Sequence, residues 1–153
     1  ASGSVSLGKS YLKVKSEKLK IHEKQAYAAC GQVILMNNFM KIFEKRKKKV
    51  AQILLTYSDT EDRRKSLNSR DTINEVLKYA ILPIINENDS VAVDELKFGD
   101  NDRLAARVAQ ISNSDFLILL SDVDGLFTSN PNKSKSSKLV RVVEKIDKRI
   151  IKM

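Results

Sequence analysis

The stretch "ILPIINEND", residues 81–89, decides the fold. It opens on a continuous apolar run and closes on amides and carboxylates alone. A short apolar run bounded by polar turn residues is the pattern of a strand buried on both faces. Pro83 lacks an N–H, which argues for a strand start or an edge position. Two further runs have the same character, "VAQILLTY" at 50–57 and "FLILL" at 116–120. Continuous apolar strands separated by helices indicate a parallel sheet covered on both faces. The fold class is therefore α/β, a three-layer α/β/α sandwich with a mainly parallel sheet.

The intervening segments supply the helices. From Ile21 to about Lys47, apolar residues recur at helical spacing, with Tyr27, Cys30 and Ile34 followed by Phe39, Ile42 and Phe43. "SDTEDRRKSLNSRD" (58–71) is polar and charged, and reads as a loop with one helical turn. "TINEVLKYA" (72–80) reads as a helix capped by Asp71 or Thr72, with Glu75 at capping-box spacing from Thr72. "NDRLAARVAQIS" (101–112) is a helix after Gly99, with Asp100 as its N-cap. In open parallel sheets, ligands bind beyond the carboxyl ends of the strands. "NEND" follows one expected strand and "SDVDGLF" another, so both are candidate site loops rather than simple solvated turns.

Composition narrows the chemistry. The 153 residues suffice for one domain with a core. No apolar run approaches the roughly 20 residues that span a bilayer, and residues 1–20 contain no apolar signal region. A cytoplasmic protein is expected. Cys30 is the sole cysteine and His22 the sole histidine, which argues against a disulfide framework, a Cys/His metal centre and a His-based triad. Cys30 reads as a small core residue and His22 as a surface helix residue. The net charge of +9 raises nucleic acid as a partner. However, its densest run (Lys45, Arg46, Lys47, Lys48, Lys49) has no interleaved aromatics and suits a solvated helix C-terminus. Nucleic acid is not expected as a partner. "ASGSVSLG" at the start reads as a small-residue turn, and "RVVEKIDKRIIKM" at the end as a helix-like pattern without a stop signal.

Six strings together resemble the bacterial glutamate 5-kinases of the amino-acid kinase superfamily. They are "SGSVSLG" (2–8), "KQAYAACGQ" (24–32), "EDRRKSLNSRDT" (61–72), the paired "PIINENDSVAV" (83–93) and "KFGDNDRLAA" (97–106), and "LLSDVDGLFTSNP" (119–131). The resemblance runs the length of the chain. It implies transfer of the γ-phosphoryl group of ATP to the γ-carboxylate of L-glutamate, the first step of proline synthesis, with Mg2+ carried by the nucleotide and no separate protein metal site. It further implies that Ser2 and Gly3 contact glutamate and the transferring phosphoryl, that Asp89 holds the substrate ammonium, and that Asn101 is a glutamate-binding amide. Asp102 matches the catalytic aspartate that orients lysines, and Ser121 and Asp122 match a nucleotide-contacting pair. Homo-oligomerisation and feedback by proline would come with the family.

The match also has departures. The family begins with a strand bearing a Val-Lys-x-Gly-Ser motif and continues into a Gly-Thr-Gly-Gly-Met-x-Thr-Lys segment. Residues 1–153 contain neither, nor the RNA-modifying-type domain appended in many members. The expectation is thus a partial amino-acid kinase domain over residues 1–153 that is inactive alone. The alternative is a short homologue that binds glutamate or proline, or self-associates through the helix at 21–47. Other kinases of the superfamily fit "INEND" and "GDND" less well. Asp100 as a helix cap and Asp124–Gly125 as a turn have structural readings of their own.

Overall fold

The computed structural model describes residues 1–15, 19–92, 101–121, 123–148 and 150–152. The chain divides into two compact units, Ala1–Leu117 and Ile118–Met153. The first contains helices α1 (Ser4–Tyr11), α2 (Ile21–Glu44), α3 (Tyr57–Glu61), α4 (Arg63–Lys78) and α5 (Asn101–Ile111), with strands β1 (Val50–Leu55) and β2 (Leu82–Glu87).

β1 and β2 pair in parallel, with Val50 opposite Leu82 and Leu55 opposite Glu87. Leu82 N donates to Lys49 O and Asn88 N to Leu55 O. Backbone polarity alternates along a strand, so the even-numbered residues of β2 face β1, while Pro83, Ile85 and Glu87 face the opposite edge. The missing N–H of Pro83 therefore interrupts no bond to β1, as an edge position requires. On that edge the Ala1 ammonium donates to Ile85 O at 2.7 Å.

Side chains alternate in the same way between two helical layers. Leu55 and Leu104 form the centre of a core cluster, with Ile53, Ile85 and Val108 packed around them, so odd-numbered strand residues meet α5. Asn86 points to the other face and meets α2. This is the α/β/α layering expected from the apolar runs, built on a small parallel sheet.

α2 packs against α1 along a seam of small residues. The buried positions of α2 are Ala28, Gly31, Gln32 and Leu35, one step away from the Tyr27–Cys30–Ile34 stripe, which is half-buried. Close backbone approach explains the shift. A Cβ on Gly31 would overlap the Ser4 carbonyl, and one on Gly8 would overlap the Tyr27 carbonyl. Cys30 is half-buried and His22 is exposed. The residues after Gly3 are helical rather than a continuing turn.

The segment at 58–71 also differs from its reading as a loop. Asp62 caps α4, its carboxylate accepting from Lys65 N at 2.8 Å, so the helix begins well before Thr72. Thr72 lies inside α4 and its hydroxyl donates to Asn68 O at 2.9 Å. Asp71 pairs with Arg70 and Glu75 with Lys78, so neither Thr72 nor Asp71 is a cap. The true capping box is one element earlier: Thr56 N donates to the Asp59 carboxylate at 2.8 Å and Asp59 N to the Thr56 hydroxyl at 3.3 Å. The N-cap expected at Asp100 lies outside the described residues.

Phe116–Leu120 is not a strand. Phe116, Ile118 and Leu120 are 88%, 80% and 93% exposed. A strand exists through hydrogen bonds to a neighbour, and among the described residues none pairs with this run. The second unit is held by an antiparallel bridge between Phe127 and Leu139. Thr128 N donates to Lys138 O and Val140 N to Leu126 O beside it. Gly125, at φ 144°, makes the turn expected at Asp124–Gly125. The helix-like pattern at the end yields only a short 3-10 turn, Ile150–Lys152, among the described residues. No helix among the described residues is long and apolar enough to cross a membrane.

Candidate functional site

A cleft of about 320 Å³ opens at the carboxyl end of β2. One wall is the start of α1, residues 2–6. Asn86, Glu87 and Asp89 form the second wall, and Asn101, the first residue of α5, closes the third side. These pieces are far apart in sequence. The parallel sheet brings them together because β2 delivers its polar end to the place where α1 and α5 both begin.

The α1 wall is built for an anion. Gly3 occupies the N-cap with φ 104°, a conformation that side chains other than glycine resist, and no side chain caps the helix. Leu7 N donates to Gly3 O at 2.9 Å, so the N–H groups of Ser4, Val5 and Ser6 have no acceptor within the helix. Uncapped first-turn N–H groups and the positive end of the helix dipole favour a carboxylate or phosphate. Facing them, Asp89 is half-buried and accepts from the Ser4 hydroxyl at 3.3 Å. That carboxylate suits a cation, such as a substrate ammonium. The Asn101 Nδ2 donates to Ala1 O and fixes the amide beside the Ser2–Gly3 turn. A ligand carrying both charges would find partners for each of them in this one cleft.

Of the residues expected from sequence, Ser2, Gly3, Asp89 and Asn101 line this cleft together. Asp102 sits in the first turn of α5, exposed, and is not in the lining. Ser121 belongs to the second unit, exposed, where its hydroxyl accepts from Val123 N at 3.4 Å. Asp122 lies outside the described residues. No group of three or more His, Cys, Asp or Glu side chains suited to a metal ion occurs among the described residues.

Sequence reasoning missed Ser4, and it named the loop of Asn86 and Glu87 without assigning either residue a role. Ser4 is buried and tethers Asp89. Its role requires α1, which "ASGSVSLG" does not announce. Asn86, 3% exposed, and Glu87 also line the cleft. Their signal was present in "INEND", but a strand's last residues alternate faces, and which face holds the ligand depends on α1.

The fold and cleft define a class, an α/β protein with a polar cleft at the carboxyl end of a parallel strand. Residues 3–148 match the amino acid kinase family, and the chain belongs to that family. It is 50% identical over 153 residues to the glutamate 5-kinase of Pelagibacter ubique, covering all of this chain and 42% of that relative. To glutamate 5-kinases of Rhodopseudomonas palustris and Nitrobacter winogradskyi it is 47% identical over 146 residues, 95% of this chain and 39% and 38% of theirs. The chain thus spans less than half the length of these relatives.

Proposed function

We propose that this protein contributes to ATP-dependent phosphorylation of the γ-carboxylate of L-glutamate, the entry step to proline synthesis, in the cytoplasm. The observation that carries the reading is the cleft itself, about 320 Å³, which gathers the uncapped N-terminus of α1 and the Asp89 carboxylate in one lining. Asp89 would hold the α-ammonium, and Asn101 would orient a carboxylate. The Ser2–Gly3 turn and the first N–H groups of α1 would receive the γ-carboxylate and the phosphoryl group arriving on it. A glutamate side chain, with a reference pKa of about 4.3, is already ionised at neutral pH. No general base is needed, and catalysis rests on positioning and charge neutralisation. One bond forms, from a γ-carboxylate oxygen to the terminal phosphorus, and the bond from that phosphorus to the bridging oxygen of ATP breaks. Mg2+ would enter with the nucleotide. Ser121 and Asp122 would contact the nucleotide and Asp102 would orient cationic side chains toward the transferring group.

Hydroxamate trapping of γ-glutamyl phosphate tests the reading on the full-length gene product. Asp89→Ala should raise the KM for glutamate at least about tenfold and leave that for ATP nearly unchanged, because a charge-assisted bond to the substrate is lost. Equal effects on both substrates would instead assign Asp89 to the fold. Asp102→Asn should lower kcat on the order of 100-fold with KM values within a few-fold. Unchanged kcat would remove Asp102 from the catalytic machinery.

A further inference from the structure

We propose that Gln32 is a positioning residue for the substrate cleft, acting through Asn86. This rests on the glutamate reading above. The Asn86 Nδ2 donates to Gln32 Oε1 at 3.0 Å, in a buried bond that joins α2 to the carboxyl end of β2. The bond fixes how the Asn86 carboxamide is turned, with nitrogen toward α2 and oxygen away from it. Asn86 lines the cleft, so this orientation sets whether a ligand meets an acceptor or a donor there.

Packing alone does not account for Gln32. Its neighbours on the buried seam are Ala28, Gly31 and Leu35. Among the described residues its own Nε2 is buried without a hydrogen-bond partner, a standing cost that interiors rarely carry. Leucine, of similar size, would remove that orphan donor. The glutamine therefore contributes orientation rather than stability. The same helix steadies the rest of the cleft. Gln25 Nε2 donates to Ala92 O at 3.3 Å, just beyond Asp89, and Gly31 seats the Ser4 carbonyl at the start of α1. The motif "KQAYAACGQ" is in this way the common support of two walls.

Steady-state kinetics and thermal melts on the full-length gene product carrying Gln32→Leu, Asn86→Ala and both together test the proposal. Gln32→Leu exchanges one orphan donor, Gln32 Nε2, for another, Asn86 Nδ2, so the melting temperature should move little. The KM for glutamate should rise about tenfold and that for ATP stay within about twofold. The double variant should be no worse than Asn86→Ala alone, because the two residues act as a unit. Additive losses, or a lowered melting temperature with KM unchanged, would overturn it. A wild type that fails to phosphorylate glutamate defeats the functional reading instead. The Gln32 assignment then stands or falls on the Asn86 side-chain amide resonances, which must shift in Gln32→Leu.

Discussion

Val50–Leu55 and Phe116–Leu120 are both short and mainly apolar, and they end differently. The first is a strand whose last residue, Leu55, is 5% exposed; the second has no strand structure, and its Leu120 is 93% exposed. Their intrinsic preferences do not separate them. Val50–Leu55 has β2 alongside and helices over its faces, whereas no described residue hydrogen-bonds the other run as a ladder. β-propensity describes fitness for a pleated, half-buried surface, and it has no force without that surface.

That contrast can be broken or sharpened by substitution. The largest effect should come from the α1–α2 seam on which the first unit depends. Gly31→Ala forces the two backbones apart and should cost about 3 kcal/mol, the upper end of ordinary overpacking, because the clash is with a carbonyl and not a flexible side chain. Urea denaturation measures it, and a loss below about 1 kcal/mol would mean the helices slide freely.

The paired runs give the next test. Leu55→Ala should cost about 2 kcal/mol, near the low end for buried leucines, since so small a sheet can partly close the cavity. Leu120→Ala should stay within about 0.5 kcal/mol. Equal losses at the two positions would show that the second run is packed in solution, and the difference between the regions would disappear.

The smallest effect concerns acid. Partial burial pushes the Asp59 carboxyl up, but the Thr56 hydroxyl, the Thr56 N–H and Lys65 together hold it below its ordinary value of 3.8. Its folded pKa is thus lower than its unfolded one. The stability it contributes is fully present above the unfolded value and is lost as pH falls through the folded one. Thr56→Ala should cost about 1 kcal/mol at neutral pH through the lost cap. It should also flatten the dependence of stability on pH below about 4. An unchanged acid limb in denaturation curves at several pH values would assign the cap no electrostatic role.

The helix starts and stops show why some elements were legible and others were not. Asp62 reads naturally as a cap once α4 is seen, yet Asp59, Asp71 and Thr72 are chemically equal candidates in the same stretch. Helix ends were harder still. Lys13, Lys47, Ala80 and Asn113 each take a left-handed conformation just past a helix, with φ between 53° and 55°. Glycine, the usual marker of that position, is at none of them. In the site, "INEND" drew attention to the end of β2 because a polar cluster directly after an apolar strand is a local fact. Ser4 and Gln32 act across the fold, through Asp89 and Asn86, and leave no local trace.

By itself the sequence determined the α/β class, the long helix, and the short apolar runs from which the two strands come, with a polar cluster directly after one of them. These follow from the period of hydrophobicity and from residue chemistry, which are written locally. The tertiary structure alone decided that Phe116–Leu120 pairs with no described neighbour, that the buried face of α2 is its small-residue seam, and that Asn101 joins the cleft while Asp102 remains outside its lining. Those outcomes depend on which backbone edge or surface meets which, and a ladder bond or a close helix contact exists only between two segments, never within one.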